Sequence, residues 1–247
     1  MKKYEYVVAS GCSFTAEEGN QNYSSLIANH FGAKFYNLAR SGGTVYHVNR
    51  TILEWCGKNK DKFNDTLIIL GMPQLDRVTL WSNKDRVWQN VNVSCPIFNY
   101  RDKSYLESLF HFFDKEYRIN YIKNFWNENV QFRYAINIIV GLQSFFKVNN
   151  IDHLFFDASA NPPYDTYCEE CCDVESFGEE YSNKLLWDSL IEIENWYKHP
   201  EYSSYALFTM DNIDMRQSKT DIHPNKKGHK YWSECLIEYI NEKNKSI

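Results

Sequence analysis

Residues 11–15 read Gly11-Cys12-Ser13-Phe14-Thr15 and place a hydroxyl beside a thiol, directly after a short apolar run. A serine at a strand-to-helix turn holds its Oγ in the open and its own N–H near a helix start, where negative charge is favoured. That suits attack on a carbonyl carbon, provided a base takes the serine proton. The same residue types also make an ordinary helix cap, and the stretch alone leaves both readings open. Cys12 is the rival nucleophile, because a thiol is intrinsically more reactive. Adjacent residues cannot both present side chains to one base, so only one of the pair can carry the chemistry.

A base stands at the far end of the chain, in Thr220-Asp221-Ile222-His223-Pro224-Asn225. Residues two apart in an extended stretch point to one side. The Asp221 carboxylate can therefore orient the His223 imidazole and stabilise its protonated form. Pro224 keeps His223 extended and suits the first turn of a following helix. Between the two ends lies Asn37-Leu38-Ala39-Arg40-Ser41-Gly42-Gly43-Thr44. A glycine in a loop after a strand lets the backbone approach a ligand, and the Gly42 N–H can donate to an oxyanion. His47, just beyond that loop, is a candidate substrate contact.

The elements that must position these residues follow from the apolar pattern. Residues 4–10 read as a strand, 22–31 as a helix stopped by Gly32, 34–39 as a second strand, and 45–55 as a helix closed by Gly57. Residues 66–70, TLIIL, are continuously apolar, as in a central strand buried on both faces. Residues 78–117 break the rhythm and read as an insertion, partly helical around 105–117. A long helix or helix pair over 120–147, a strand at 153–158 and a loop through Asn161-Pro162-Pro163 to residue 181 follow. An amphipathic helix over 183–197, a last strand at 205–210 and a closing helix over 227–241 complete the chain. Strands alternating with helices predict a parallel sheet covered on both faces, within one domain spanning 1–247. The loops at 11–15, 40–44, 71–77, 159–163 and 211–224 all follow strands and should crowd one sheet edge, where ligands sit.

Taken in order, the Ser13 turn, the Gly42 loop and the Asp221-x-His223-Pro224 block resemble the SGNH/GDSL hydrolase superfamily, from about residue 4 to 240. The resemblance implies a three-layer α/β/α, flavodoxin-like fold with a five-stranded parallel sheet and acyl-ester chemistry. It makes Ser13 the nucleophile, His223 the general base and acid, and Asp221 the orienting carboxylate, with the Ser13 and Gly42 N–H groups as oxyanion donors. It favours Ser13 over Cys12. The family's third block, Gly-x-Asn-Asp, is replaced by Gly71-Met72-Pro73-Gln74-Leu75-Asp76-Arg77. Pro73 stands where the asparagine is expected and offers no donor; the Gln74 amide or the Arg77 guanidinium are the candidates to replace it. Losing one such donor costs on the order of 10²–10³ in rate. The position three before the histidine, often Asp in the family, is Thr220, and Asp221 two before it takes that part.

Bulk properties narrow the partners. A net charge of −5 carries no polyanion signal, so no nucleic-acid partner is expected. Residues 1–10 do not form a signal-peptide core and no stretch approaches the length of a membrane span, so a cytoplasmic protein is expected. Seven dispersed cysteines read as free thiols. Cys168-Glu169-Glu170-Cys171-Cys172 contains a C-x-x-C, but a structural zinc wants four ligands and no second pair of suitable spacing is evident, so no metal or cofactor is expected. Aromatics make up 17% of residues. Trp81, Trp88, Tyr100 and Tyr105 in the insertion direct the substrate expectation to an O-acetyl ester on a carbohydrate-like molecule. An O-acyltransferase and a non-catalytic binding module on the same fold are the alternatives, and oligomeric state is not legible.

Overall fold

In a computed structural model of the chain, residues 2–16, 21–74, 77–82, 86–92, 124, 128–159 and 190–245 are described. Four parallel strands form the central sheet: β1 (Tyr6–Gly11), β2 (Lys34–Asn37), β3 (Thr66–Met72) and β6 (Asp152–Asp157), in the order β2-β1-β3-β6. Every residue of β3 is buried, which is why its sequence is apolar throughout rather than alternating. Successive side chains serve opposite faces. Val7, Leu67, Ile69, Leu154 and Phe156 pack with α2 (Tyr23–Phe31), α5 (Tyr205–Asp211) and α6 (Lys226–Lys245). Val8, Ile68, Leu70 and Phe155 pack with α3 (Val45–Lys58) and α4 (Glu128–Val148). The fold is thus the α/β/α three-layer arrangement that the alternation of elements predicts.

Local chemistry sets the helix ends. The Asn22 side chain accepts from Ser25 N at the start of α2, and Gly32 closes it at φ 64, the left-handed conformation that glycine tolerates. Thr44 caps α3 through its hydroxyl, which accepts from His47 N. That helix runs through Gly57 to Lys58 rather than stopping at the glycine.

Three expectations change. Residues 205–210 are not a strand but the core of α5, whose N-cap Ser204 accepts from Leu207 N. Tyr205, Ala206, Phe208 and Thr209 are buried at helical spacing. The described sheet therefore has four strands rather than five. The place beside β6 is taken by a single parallel bridge, Phe155 to Trp196, with Tyr197 N donating to Phe155 O at 2.8 Å. Trp196 belongs there because its indole stacks on Phe155, 5.4 Å away and 10° from parallel. Within the helix expected over 183–197, residues 193–195 form a 3-10 turn and Trp196 is extended; residues 183–189 lie outside the described set. The insertion opens as an antiparallel hairpin of β4 (Arg77–Ser82) and β5 (Val87–Asn92), and the helical stretch expected over 105–117 lies outside the described residues. Among the described residues no helix is long and apolar enough to cross a membrane.

Candidate active site

The turn after β1 is built on close backbone packing. Gly11 pairs with Gly71 across the sheet, and a Cβ on either would lie 2.5 or 2.7 Å from the Thr15 hydroxyl. Thr15 folds over both glycines and bonds to Tyr23 Oη at 3.0 Å. Ser13 opens the one-turn helix α1 (Ser13–Ala16), which is closed by Thr15 N and Ala16 N donating to Cys12 O.

Ser13 Oγ lies 2.8 Å from His223 Nε2, and His223 Nδ1 lies 2.6 Å from Asp221 Oδ1. Asp221 Oδ1 also accepts from His223 N at 3.0 Å, so one carboxylate oxygen fixes both the backbone and the ring of His223. An ionised carboxylate only accepts, so Nδ1 must carry the ring proton. In the neutral imidazole this leaves Nε2 as the acceptor facing the serine hydroxyl. Partial burial pulls the Asp221 carboxyl upward. The two hydrogen bonds from His223 and the charge of its ring outweigh that pull and hold Asp221 below the ordinary carboxylate range. Both side chains remain open to solvent, at 40% for His223 and 50% for Asp221, so the attraction between them is screened.

The loop bearing them is braced. Gln217 N donates to His223 O at 2.7 Å, and Gln217 Nε2 to Pro224 O at 2.9 Å. Ser218 Oγ accepts from Asp221 N at 3.0 Å. Asn225 ties the loop to α6: its Oδ1 accepts from Gly228 N while its Nδ2 donates to Asp214 O and Arg216 O. The Phe14 ring supports the imidazole face, with centroids 5.0 Å apart and planes 35° apart, and is itself buried against Tyr205. This support went unread in the sequence, where nothing marked Phe14 beyond its place after Ser13.

The Gly42 loop stands against the same turn. Arg40 N donates to Gly11 O at 3.3 Å, Gly43 N to Arg40 O at 2.8 Å, and Gly42 has φ 69. A Cβ on Gly43 would lie 2.3 Å from Gly11 O, so only glycine allows this approach. His47 is buried behind the loop and its Nε2 bonds to Leu38 O at 3.0 Å, which places it as a brace of the loop from within α3. Burial holds the His47 imidazole below its ordinary range, with Arg50 and Arg40 adding to the effect against the hydrogen bond that the ring donates to Leu38 O.

Pro73 is buried directly after β3. Arg77 Nη2 donates to the Gln74 side-chain oxygen at 2.9 Å. A guanidinium has only donors, so the oxygen of Gln74 must face it and the amide N–H₂ faces elsewhere. Cys12 is fully buried, with its thiol 3.4 Å from Ser159 Oγ in the core. Cys168, Cys171 and Cys172 lie outside the described residues, and among those described no cluster of three or more His, Cys, Asp or Glu could hold a metal ion.

No protein-family model matches the chain, and no curated protein matches it. Solved structures do resemble it. TesA aligns at TM-score 0.50 and 10% identity, over 96% of this chain and 99% of TesA. The esterase EstA from Pseudoalteromonas sp. aligns at 0.49 and 10% identity, over 96% and 97%. A putative lipolytic protein of the G-D-S-L family from Desulfitobacterium hafniense aligns at 0.43 and 13% identity, over 95% and 99%. The chain thus shares its fold with TesA, over nearly the whole length of both.

Proposed function

We propose that this protein is a serine esterase that cleaves an acyl ester through an acyl-Ser13 intermediate. The observation that carries this reading is the hydrogen-bonded row Asp221–His223–Ser13, joined across 210 positions of sequence. Ser13 Oγ attacks the acyl carbon as His223 Nε2 takes its proton. The oxyanion is met by the N–H groups of Ser13 and Gly42 and by the Gln74 amide, oriented by Arg77 in place of the missing asparagine. His223 then passes the proton to the departing alkoxide. A water attacks the acyl-enzyme by the same route and releases the acid. Asp221 keeps the productive ring orientation throughout. The substrate is an O-acetyl ester on a carbohydrate-like molecule. The hairpin at the start of the insertion supports this, since its register sets Trp81 opposite Trp88 on paired strands.

A fluorophosphonate label and p-nitrophenyl acetate test the reading together. The wild type and Cys12→Ala should label, and Ser13→Ala should not. Turnover should fall at least about 10³-fold in Ser13→Ala. A wild type that neither labels nor turns over would remove the esterase reading. Label lost in Cys12→Ala and kept in Ser13→Ala would transfer the nucleophile to Cys12.

A further inference from the structure

Arg77 carries more donors than the proposed reaction uses. One nitrogen, Nη2, bonds to Gln74; among the described residues, Nε and Nη1 are buried and have no hydrogen-bond partner. Arg50 has a buried Nε of the same kind, but its guanidinium is ion-paired with Glu54, whereas Arg77 has no ion pair among the described residues. A guanidinium cannot release its proton to escape that environment. Buried donors without partners are costly, and more so on a charged group.

Chain connections bring the strand of Arg77 toward the Gly42 loop and the end of β3. Two residues on, the Thr79 hydroxyl bonds to that of Thr44, the cap of α3 that directly follows Gly43. Gly43 in turn packs on the Gly11 carbonyl, two residues before Ser13. On its other side Arg77 holds Gln74, which leaves the end of β3 two residues after Met72. Arg77 is thus tied to Gln74 by its side chain and to Thr44 by its strand.

We propose that Arg77 is the receptor for a compact anionic oxygen group, a carboxylate, sulfate or phosphate, borne by the substrate close to the ester that Ser13 attacks. This rests on the esterase reading and extends it to substrate class. A fixed cation with N–H groups left over matches a fixed anion. The transient oxyanion, by contrast, already has three donors. Because the same guanidinium orients Gln74, a bound anion also steadies the oxyanion donor.

The test compares p-nitrophenyl acetate, which is neutral, with mono-p-nitrophenyl glutarate, anionic on the acyl side, and 4-acetoxybenzoate, anionic on the alcohol side. Each is assayed with wild type, Arg77→Met and Arg77→Lys. The ratio of kcat/KM for one anionic ester to that for the acetate should fall about 10–100-fold in Arg77→Met, chiefly through KM, and recover in part in Arg77→Lys. The ester whose ratio falls identifies the side that carries the anion. Equal losses on all three esters, or an unchanged ratio, would overturn the proposal and leave Arg77 as a positioning residue for Gln74. Calorimetric binding of inorganic phosphate gives a readout without turnover. Binding by the wild type that weakens at least about 10-fold in Arg77→Met supports the site even if Ser13 fails to label and the esterase reading falls. Absent binding, or equal binding by both proteins, counts against it.

Discussion

Replacing Gly43 by alanine puts a methyl carbon 2.3 Å from the Gly11 carbonyl oxygen and 2.9 Å from that of Arg40. Ordinary contact begins near 3.4 Å, so the gap to Gly11 must open by about 1 Å. Gly11 lies on β1, hydrogen-bonded between β2 and β3, and will not yield. The Gly42 loop must move instead, and with it the Gly42 N–H proposed as an oxyanion donor. A displacement of that size, or the loss of one oxyanion donor, costs on the order of 10²-fold in rate. Steady-state hydrolysis of p-nitrophenyl acetate should therefore show kcat down by about 10²-fold in Gly43→Ala, with KM changed far less, because the donor acts in the transition state. Thermal unfolding followed by circular dichroism checks that the variant is folded. Gly42→Ala reaches the same loop by another route, since nothing lies within 4 Å of its Cβ but φ is 69, and the strain is about 1–2 kcal/mol. A folded Gly43→Ala protein with kcat within about three-fold of wild type would refute the placement of this loop in the site.

Burial pushes the Asp157 carboxyl up to about 6, against the opposing pull of the Trp196 indole N–H and of Lys198. Between pH 4 and 6 the folded state then binds more protons than the unfolded one, so stability falls as pH rises through that window. Asp157→Asn keeps an acceptor for Trp196 Nε1, which now bonds to Asp157 Oδ2. The variant should be about 2–3 kcal/mol more stable than wild type at pH 8 and equal to it near pH 4 in urea unfolding; parallel pH profiles would rule the effect out. Gly141 lies inside α4 with open space around its Cβ. Gly141→Ala should add about 0.5–1 kcal/mol and raise Tm by roughly 1–4 °C, and a lower Tm would count against an unhindered position.

Much of the sheet was legible because its strands have one environment along their length. Residues 66–70 read as a buried central strand since they form a continuous apolar run after Thr66, and the strand extends to Met72. The run after Ser204 failed because six apolar-rich residues fit a strand or a short helix equally, and periodicity cannot separate them at that length. Ser204 was the usable signal, as an N-cap three residues before the N–H it accepts. Trp196 was read into a helix because its stacking on Phe155, 41 residues away, is invisible to a local window. His47 was read as a substrate contact from its nearness to the Gly42 loop; its bond to Leu38 O depends on how α3 docks under that loop.

The sequence by itself determined the kinds of groups available and their order: a hydroxyl after the first strand, glycines after the second, and a carboxylate two residues before an imidazole near the end. The spacing of Asp221 and His223 already brought those two together, because neighbours in an extended chain share a side. Only the tertiary structure decided that Ser13 rather than Cys12 faces His223, through the burial of the thiol beside Ser159 and the fold of Thr15 over two glycines. It also decided the orientation of Gln74, through the hydrogen bond from Arg77 three residues on. Local sequence sets which way a side chain points relative to its neighbours. Which distant group it then meets depends on the register of a parallel sheet whose strands are joined through helices, and that register is fixed by packing on both faces at once.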